Sequence, residues 1–187
     1  MRLLLASSSP RRAELLRTLG VDFTVVPSDA AESENNDLTA REICLLNAYR
    51  KARVVAKRFP DELVLGADTL VHRKNVVYAK PRDREEAGRF LRELAGGEHH
   101  VVTGVCLLRW RGHHERLFAE STAVVFRPLT DVQITAYHER INPLDKAGGY
   151  AIQEHGSEIV QAILGSYTNV VGLPLERLRE ELATFPG

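Results

Sequence analysis

The chain has 187 residues, 44% of them apolar, and its 25 basic residues equal its 25 acidic ones in number. This size and apolar content suffice for one domain with a buried core, predicted at residues 1–187. The zero net charge argues against broad electrostatic binding to nucleic acid or an anionic membrane, and no apolar stretch approaches the length of a membrane span. The short apolar start is unlike a secretory signal, so we expect a cytoplasmic protein. Cys44 and Cys106 lack metal-ligand spacing and are predicted to be small core residues.

The N-terminal segment LLLASSSPRR predicts a short buried strand followed directly by a helix. Leu3 to Ala6 form an apolar run that three serines end, because serine side chains compete for backbone hydrogen bonds. Ser9 is a favourable N-cap residue, Pro10 suits the first helical position, and Gly20 ends the helix.

Two arginines, Arg11 and Arg12, lie in the first turn of this helix. The helix dipole disfavours a cation there, whereas the unpaired N–H groups attract anions. The segment therefore fits a phosphate site, and these residues alone fit a solvated helix face equally well.

A short strand is predicted at Phe23 to Val26, and the polar segment 27–37 is predicted to be a surface loop. Thr39 and Glu42 then form a capping box at the start of a long amphipathic helix. This helix is predicted to end before Pro60, since proline cannot continue it.

The next strand is predicted at Leu63 to Ala67, and its apolar pattern breaks at Asp68 and Thr69 before Leu70 and Val71 resume it. A carboxylate within a buried strand pattern is costly unless it has partners or a task. Residues 73–75 predict a hairpin turn into a short strand at 76–78.

The second half of the chain continues the alternation of helices and strands. The predicted elements are a helix capped by Asp83, an antiparallel hairpin over 99–126, a helix capped by Thr130 and Gln133, a short strand within DKAGGYAIQ at 145–153, and a C-terminal helix from Asn169.

This order of elements predicts an α/β fold with a mixed twisted sheet, flanking helices and a long antiparallel hairpin. Polar clusters follow three predicted strands: SSSPRR, Asp68 with Thr69, and DKAGGYAIQ. Ligands of open α/β sheets bind where strands end, so these clusters mark the candidate site. No GxxxxGK[ST] or strand-linked GxGxxG motif occurs, which argues against a P-loop kinase or a nicotinamide-dependent enzyme.

Paired carboxylates are what magnesium-assisted phosphate chemistry requires, because a hard cation prefers oxygen ligands. Asp68 and an acid of the 27–37 loop, Glu32 or Glu34, are the candidates. Spacing alone leaves open that Asp68 caps a backbone turn, and it favours a solvated loop acid for Glu32 and Glu34.

Two other groups of side chains contain residue types that bind metal or phosphate in other proteins. The histidine pairs at 99–100 and 113–114 are predicted not to chelate one ion, because adjacent residues of a strand point to opposite faces. Lys80 and Lys146 could neutralise phosphate as point charges, although isolated surface lysines are common.

Six blocks, spread in order from Leu3 to about Leu178, together resemble the Maf family. They are SSSPRR at 7–12, GADT at 66–69, KP at 80–81, the HxVxTG match at 99–104, DKAGGYAIQ at 145–153 and GSYTNVVGLP at 165–174. Maf proteins are nucleoside triphosphate pyrophosphatases related in fold to inosine triphosphate pyrophosphatases. The resemblance therefore implies two lobes around a central cleft and hydrolysis between the α and β phosphates with Mg²⁺ or Mn²⁺.

The resemblance also implies roles for individual residues. It places the catalytic aspartate on Asp68, a second metal ligand on Glu32 and a phosphate-binding lysine on Lys80. The other implied positions are Ser7, Ser9 and Arg12 in the phosphate loop, and Arg11, Thr69 and Gln153 at the nucleobase. A homodimer is suggested by the resemblance alone.

The motifs SPRR, ADT and AIQ resemble the family branch that reads uracil and thymine nucleotides, rather than the branch associated with 7-methylguanosine triphosphate. The Gln153 carboxamide can pair with the N3–H and a carbonyl of uracil or thymine, and it could also pair with adenine. Ala31, Ala79 and Ala95 stand where the family often has other residues. We predict hydrolysis of dTTP and UTP; the alternatives are a nucleotide-binding regulator of septum formation and a 7-methyl-GTP pyrophosphatase.

Overall fold

The computed structural model describes residues 2–33 and 37–186. In this part of the chain the strands and helices, in order, are β1 (Leu3–Leu5), α1 (Pro10–Thr18), β2 (Phe23–Val25), α2 (Ala40–Arg58), β3 (Leu63–Arg73), β4 (Val76–Tyr78), α3 (Arg84–Leu94), β5 (Glu98–Arg109), β6 (His114–Phe126), α4 (Asp131–Glu139), α5 (Gly156–Ile159), β7 (Val160–Leu164), α6 (Tyr167–Val171) and α7 (Leu175–Ala183). Two 3₁₀ turns lie at Pro143–Asp145 and Ala147–Gly149. Within 2–33 and 37–186, no helix is long and apolar enough to cross a membrane.

The strands form one mixed sheet in the order β2-β1-β3-β5-β6-β7, with β4 paired to β3. β1 is parallel to both β2 and β3, whereas β4 is antiparallel to β3 and β7 is antiparallel to β6. The predicted α/β class, with a mixed sheet and flanking helices, is confirmed.

Local sequence signals place most helix starts correctly. The capping boxes at Thr39 and Thr130 both form, each with its reciprocal side-chain bond. Asp83 accepts a hydrogen bond from the N–H of Glu86 at the start of α3. Ser9 occupies the N-cap position of α1, but its side chain makes no capping bond.

Three predictions about element boundaries are wrong. β3 continues through Asp68 and Thr69, because residues 71–73 at its end pair with residues 76–78 of β4. The segment 145–153 contains no strand, because Gly148 and Gly149 have φ values of 72° and 70° that turn the chain. The C-terminal helix is two helices, α6 and α7, separated at Gly172, whose φ is 128°.

The chain divides into two compact units, each made of separate segments. Unit 1 comprises the described parts of 2–69, 103–120 and 172–186, and unit 2 comprises 70–102 and 121–171. In unit 1, α2 packs its small residues on the sheet around Leu4, Val64 and Cys106. In unit 2, aromatic and aliphatic side chains of β6, α3 and α4 surround Tyr150. Cys44 and Cys106 are both buried, as predicted.

His99 is fully buried in unit 2, whereas the adjacent His100 is half-buried. His99 Nε2 lies 2.7 Å from the Tyr150 hydroxyl, and the ring packs edge-on against Phe126. Burial lowers the pKa of His99 to about 3, so the ring is neutral near pH 7. His99 is therefore part of the packing of unit 2.

Helix α2 approaches β3 very closely at Gly66. A methyl group on Gly66 would overlap the Ala48 carbonyl oxygen and lie 2.8 Å from the Ala52 nitrogen. Both contacts are backbone atoms of a helix and cannot rotate away. This contact fixes the distance between α2 and β3 two residues before Asp68.

We expect Gly66→Ala to lower the free energy of unfolding by about 3 kcal/mol, because the added methyl group overpacks this contact. Gly88→Ala is the matched control: a methyl group there would meet Arg92 at 3.6 Å, an ordinary contact. Alanine inside α3 should then be neutral or stabilise by about 1 kcal/mol. Urea unfolding of both variants checks this, and equal stabilities would contradict it.

Candidate active site

Asp68 lies in the middle of β3 and on the same strand face as Gly66, so its side chain is directed towards α2. It is buried, with a side chain only 9% exposed. Asn47 Nδ2 donates to Asp68 Oδ2 at 3.1 Å, and Lys51 Nζ donates to Asp68 Oδ1 at 2.7 Å. Each carboxylate oxygen therefore has its own donor, which gives the carboxylate a fixed orientation.

The same lysine holds Glu32. Lys51 Nζ lies 2.6 Å from Glu32 Oε1, so one ammonium group bridges the carboxylates of Glu32 and Asp68. Asn47 secures the loop, since its Oδ1 accepts from the Ser33 N–H at 2.7 Å and its Nδ2 donates to the Ser33 carbonyl at 3.3 Å. Glu34, the other candidate acid, lies outside the described residues.

This donor set fits a hard divalent cation in one respect. The carboxylates of Glu32 and Asp68 converge on one positive charge, the Lys51 ammonium, and carboxylate oxygens are also the ligands that Mg²⁺ prefers. Among the described residues no three His, Cys, Asp or Glu side chains form a metal-binding group. Water and phosphate oxygens would complete the coordination, as is usual for Mg²⁺.

Arg12 connects three parts of unit 1. Its Nη1 donates to Ser7 Oγ at 3.3 Å, its Nη2 to Thr69 Oγ1 at 2.9 Å and its Nε to the Gly172 carbonyl at 2.9 Å. Burial lowers the pKa of the Arg12 guanidinium, and the negative charge of Asp68 opposes this shift. The structure thus brings Ser7, Arg12 and Thr69 together.

The serine loop is ordered by its own hydrogen bonds. Ser7 is buried, and its Oγ accepts from the Ser9 N–H at 3.2 Å as well as from Arg12. Arg11 is half-buried in the first turn of α1. The loop therefore presents the N-terminus of α1 beside the end of β1, a common arrangement for anion binding.

Two predicted site residues belong to unit 2, and both have exposed side chains. Lys80 lies between β4 and α3, next to Ala79, whose carbonyl accepts from the Gly148 N–H at 3.1 Å. Gln153 lies in the segment between the second 3₁₀ turn and α5.

Lys146, for which the sequence suggested neutralisation of phosphate or an ordinary surface position, is buried. Its side chain is only 5% exposed, and its ammonium group contacts Asp145 Oδ1 at 2.9 Å and Glu154 Oε1 at 3.3 Å. Two carboxylates thus neutralise Lys146 within unit 2.

No sequence motif predicts Asn47 and Lys51 as site residues. Both lie on the buried face of α2, at four-residue spacing between Ile43 and Val55. Two polar residues in such an apolar row are the signal that could have found them, because buried polar groups need partners.

The mixed sheet with its flanking helices is an α/β fold shared with Ham1 proteins. The solved structures of the Ham1 protein of Staphylococcus aureus and of a HAM1 protein from Coxiella burnetii each match 98% of this chain and 98% of their own length, both with a TM-score of 0.57. Their sequence identities are 13% and 18%, so the likeness concerns the fold. It confirms the predicted inosine triphosphate pyrophosphatase-like fold.

The chain belongs to the Maf-like protein family, whose model matches residues 2–185. Relatives named dTTP/UTP pyrophosphatase occur in Acetivibrio thermocellus, at 44% identity over 99% of this chain and 96% of the relative, and in Gloeobacter violaceus, at 47% identity over the same two shares. A third, from Syntrophus aciditrophicus, is 45% identical over 97% of this chain and 88% of its own length.

Proposed function

We propose that this chain is a nucleoside triphosphate pyrophosphatase that hydrolyses dTTP and UTP to the monophosphate and pyrophosphate. The observation that carries the proposal is the buried Asp68 carboxylate, oriented by Lys51 and Asn47 in the same unit as the serine loop and Arg12. Full-length relatives at 44% to 47% identity that are named for this activity support it.

In the proposed reaction, water attacks the α-phosphorus of the nucleotide. The bond from this phosphorus to the oxygen that bridges the α and β phosphates breaks, and pyrophosphate leaves with the electron pair. Asp68 accepts a proton from the attacking water as general base. Because Lys51 and Asn47 each hold one oxygen of Asp68, the base is oriented before substrate binds.

The triphosphate carries several negative charges that the protein has to stabilise. We assign this to the N-terminus of α1, to Arg12 and to Lys80, with Ser7 and Ser9 shaping the loop. Glu32 and Asp68 would hold Mg²⁺ or Mn²⁺, and the ion would supply further neutralisation of phosphate charge.

Nucleobase selection is assigned to Arg11, Thr69 and Gln153. A carboxamide presents one donor and one acceptor side by side, which matches the N3–H and carbonyl edge of uracil and thymine. The exposure of Gln153 leaves this amide accessible to a ligand.

The test is a substrate panel with purified protein. Each nucleoside and deoxynucleoside triphosphate, together with 7-methyl-GTP, is incubated with the protein and Mg²⁺ or Mn²⁺, and the products are separated by ion-exchange chromatography. We expect equimolar monophosphate and pyrophosphate, with kcat/KM for dTTP and UTP at least about tenfold above the others. Turnover of 7-methyl-GTP alone would overturn the substrate choice, and binding without turnover would favour the regulator of septum formation.

A further inference from the structure

The segment that carries Gln153, residues 151–154, belongs to no helix or strand. A side chain that selects a base by hydrogen bonds has to be placed accurately, because such bonds weaken steeply with distance and angle. The contacts on both sides of Gln153 supply this placement, and all of them lie within unit 2.

On the N-terminal side, Tyr137 of α4 exchanges two hydrogen bonds with the backbone of Ala151. The Tyr137 hydroxyl donates to the Ala151 carbonyl at 2.9 Å and accepts from the Ala151 N–H at 3.0 Å. The ring is 1% exposed and Ala151 is buried, so water cannot replace these bonds at low cost. Burial raises the pKa of Tyr137 to about 12, and the hydroxyl therefore keeps its proton at neutral pH.

On the C-terminal side, Lys146 holds Glu154. Lys146 Nζ lies 3.3 Å from Glu154 Oε1 and donates to the Asn142 carbonyl at 2.8 Å. Lys146 therefore joins the 151–154 segment to the part of the chain that follows α4. Asp145 provides a second negative partner at 2.9 Å. A buried ammonium with three oxygen partners is a rigid anchor, since moving it away would leave an unpaired charge.

We propose that Tyr137 and Lys146 are positioning residues that hold the 151–154 segment on both sides and thereby set the nucleobase selectivity exerted through Gln153. The inference rests on the proposed function. It goes further by assigning selectivity to two buried residues that act through their contacts with Ala151 and Glu154.

The main test uses Tyr137→Phe, which keeps the ring and removes both hydrogen bonds to Ala151. With UTP we expect KM to rise about tenfold while kcat changes less than about twofold, and the preference for UTP over CTP to fall in parallel. Inorganic tripolyphosphate, which lacks a base, should inhibit wild type and variant equally. The position of Lys80 should not change, because the neighbouring Ala79 carbonyl accepts its hydrogen bond from Gly148, which precedes the 151–154 segment.

The matched control is Tyr78→Phe. Tyr78 is 4% exposed in the same unit, and its hydroxyl interacts with Glu93 rather than with the 151–154 segment. This variant should retain the wild-type KM and selectivity.

A second variant, Glu154→Ala, alters a side chain that is 42% exposed and should fold normally. It should raise KM for UTP in the same direction, by about threefold.

A double variant separates positioning from general stability. If Tyr137 acts through Gln153, then Tyr137→Phe with Gln153→Ala should bind UTP no worse than Gln153→Ala alone.

Two results for Tyr137→Phe would overturn the inference. One is unchanged selectivity, and the other is a lowered Tm with inhibition by tripolyphosphate weakened as much as the binding of UTP. If wild type hydrolyses UTP but Gln153→Ala does not alter KM, this inference fails while the proposed function stands; absence of any hydrolysis by wild type would fail the proposed function itself.

Discussion

Asp68→Asn is expected to lower kcat for UTP about a thousandfold while the chain remains folded, because the amide cannot accept the proton of the attacking water. The substitution nearly preserves volume, and Lys51 keeps Glu32 as a partner. The new amide would place an N–H₂ group opposite one of its two present donors, Asn47 and Lys51. We therefore expect a loss of about 1 kcal/mol in the free energy of unfolding.

The measurement is pyrophosphate release under saturating UTP, with circular dichroism to follow unfolding. Asp61→Asn is the matched control: Asp61 also belongs to unit 1, but its carboxylate is 63% exposed and pairs with Arg111. This control should retain wild-type kcat. Near-normal turnover by Asp68→Asn would remove Asp68 from the catalytic role.

Lys51→Met is expected to lower kcat about a hundredfold and to cost about 3 kcal/mol of stability. Methionine keeps most of the apolar stem but removes the ammonium that bridges Glu32 and Asp68. Asp68 is then a buried carboxylate facing a second carboxylate with no cation between them. Glu32, which is 50% exposed, can turn to water, so we expect the loop and the carboxylate pair to separate.

Both stability and activity should fall in this variant, so kcat is calculated from the concentration of folded protein. Urea unfolding under the assay conditions gives the folded fraction. Lys57→Met is the matched control on the same helix, since Lys57 is exposed and its ammonium lies over the Trp110 ring, outside the carboxylate cluster. It should retain full kcat. A Lys51→Met variant whose kcat per folded molecule stays within about twofold of wild type would show that the bridge has no part in turnover.

Much of the fold follows from local sequence signals. Thr39 with Glu42 and Thr130 with Gln133 mark helix starts that form as predicted, because a capping box satisfies backbone donors with neighbouring side chains. The end of β3 could not be predicted in this way. Asp68 and Thr69 interrupt the apolar pattern, yet the strand continues, because its hydrogen-bond partners come from β4 and β5.

The local parts of the candidate site are visible in the sequence: the serine loop before α1, an acid in a buried strand, and polar residues in the loop after β2. Each is visible because polar residues in an apolar context need a reason to be there. Two sets of contacts emerge only from the packing of the folded chain: Asn47 and Lys51 of α2 join Asp68 to the Glu32 loop, and Tyr137 and Lys146 contact Ala151 and Glu154 on the two sides of Gln153. The contacts around Asp68 connect residues that are 14 to 21 positions apart in the chain. They form because α2 packs closely on β3 at Gly66, and no short sequence pattern encodes that distance between a helix and a strand.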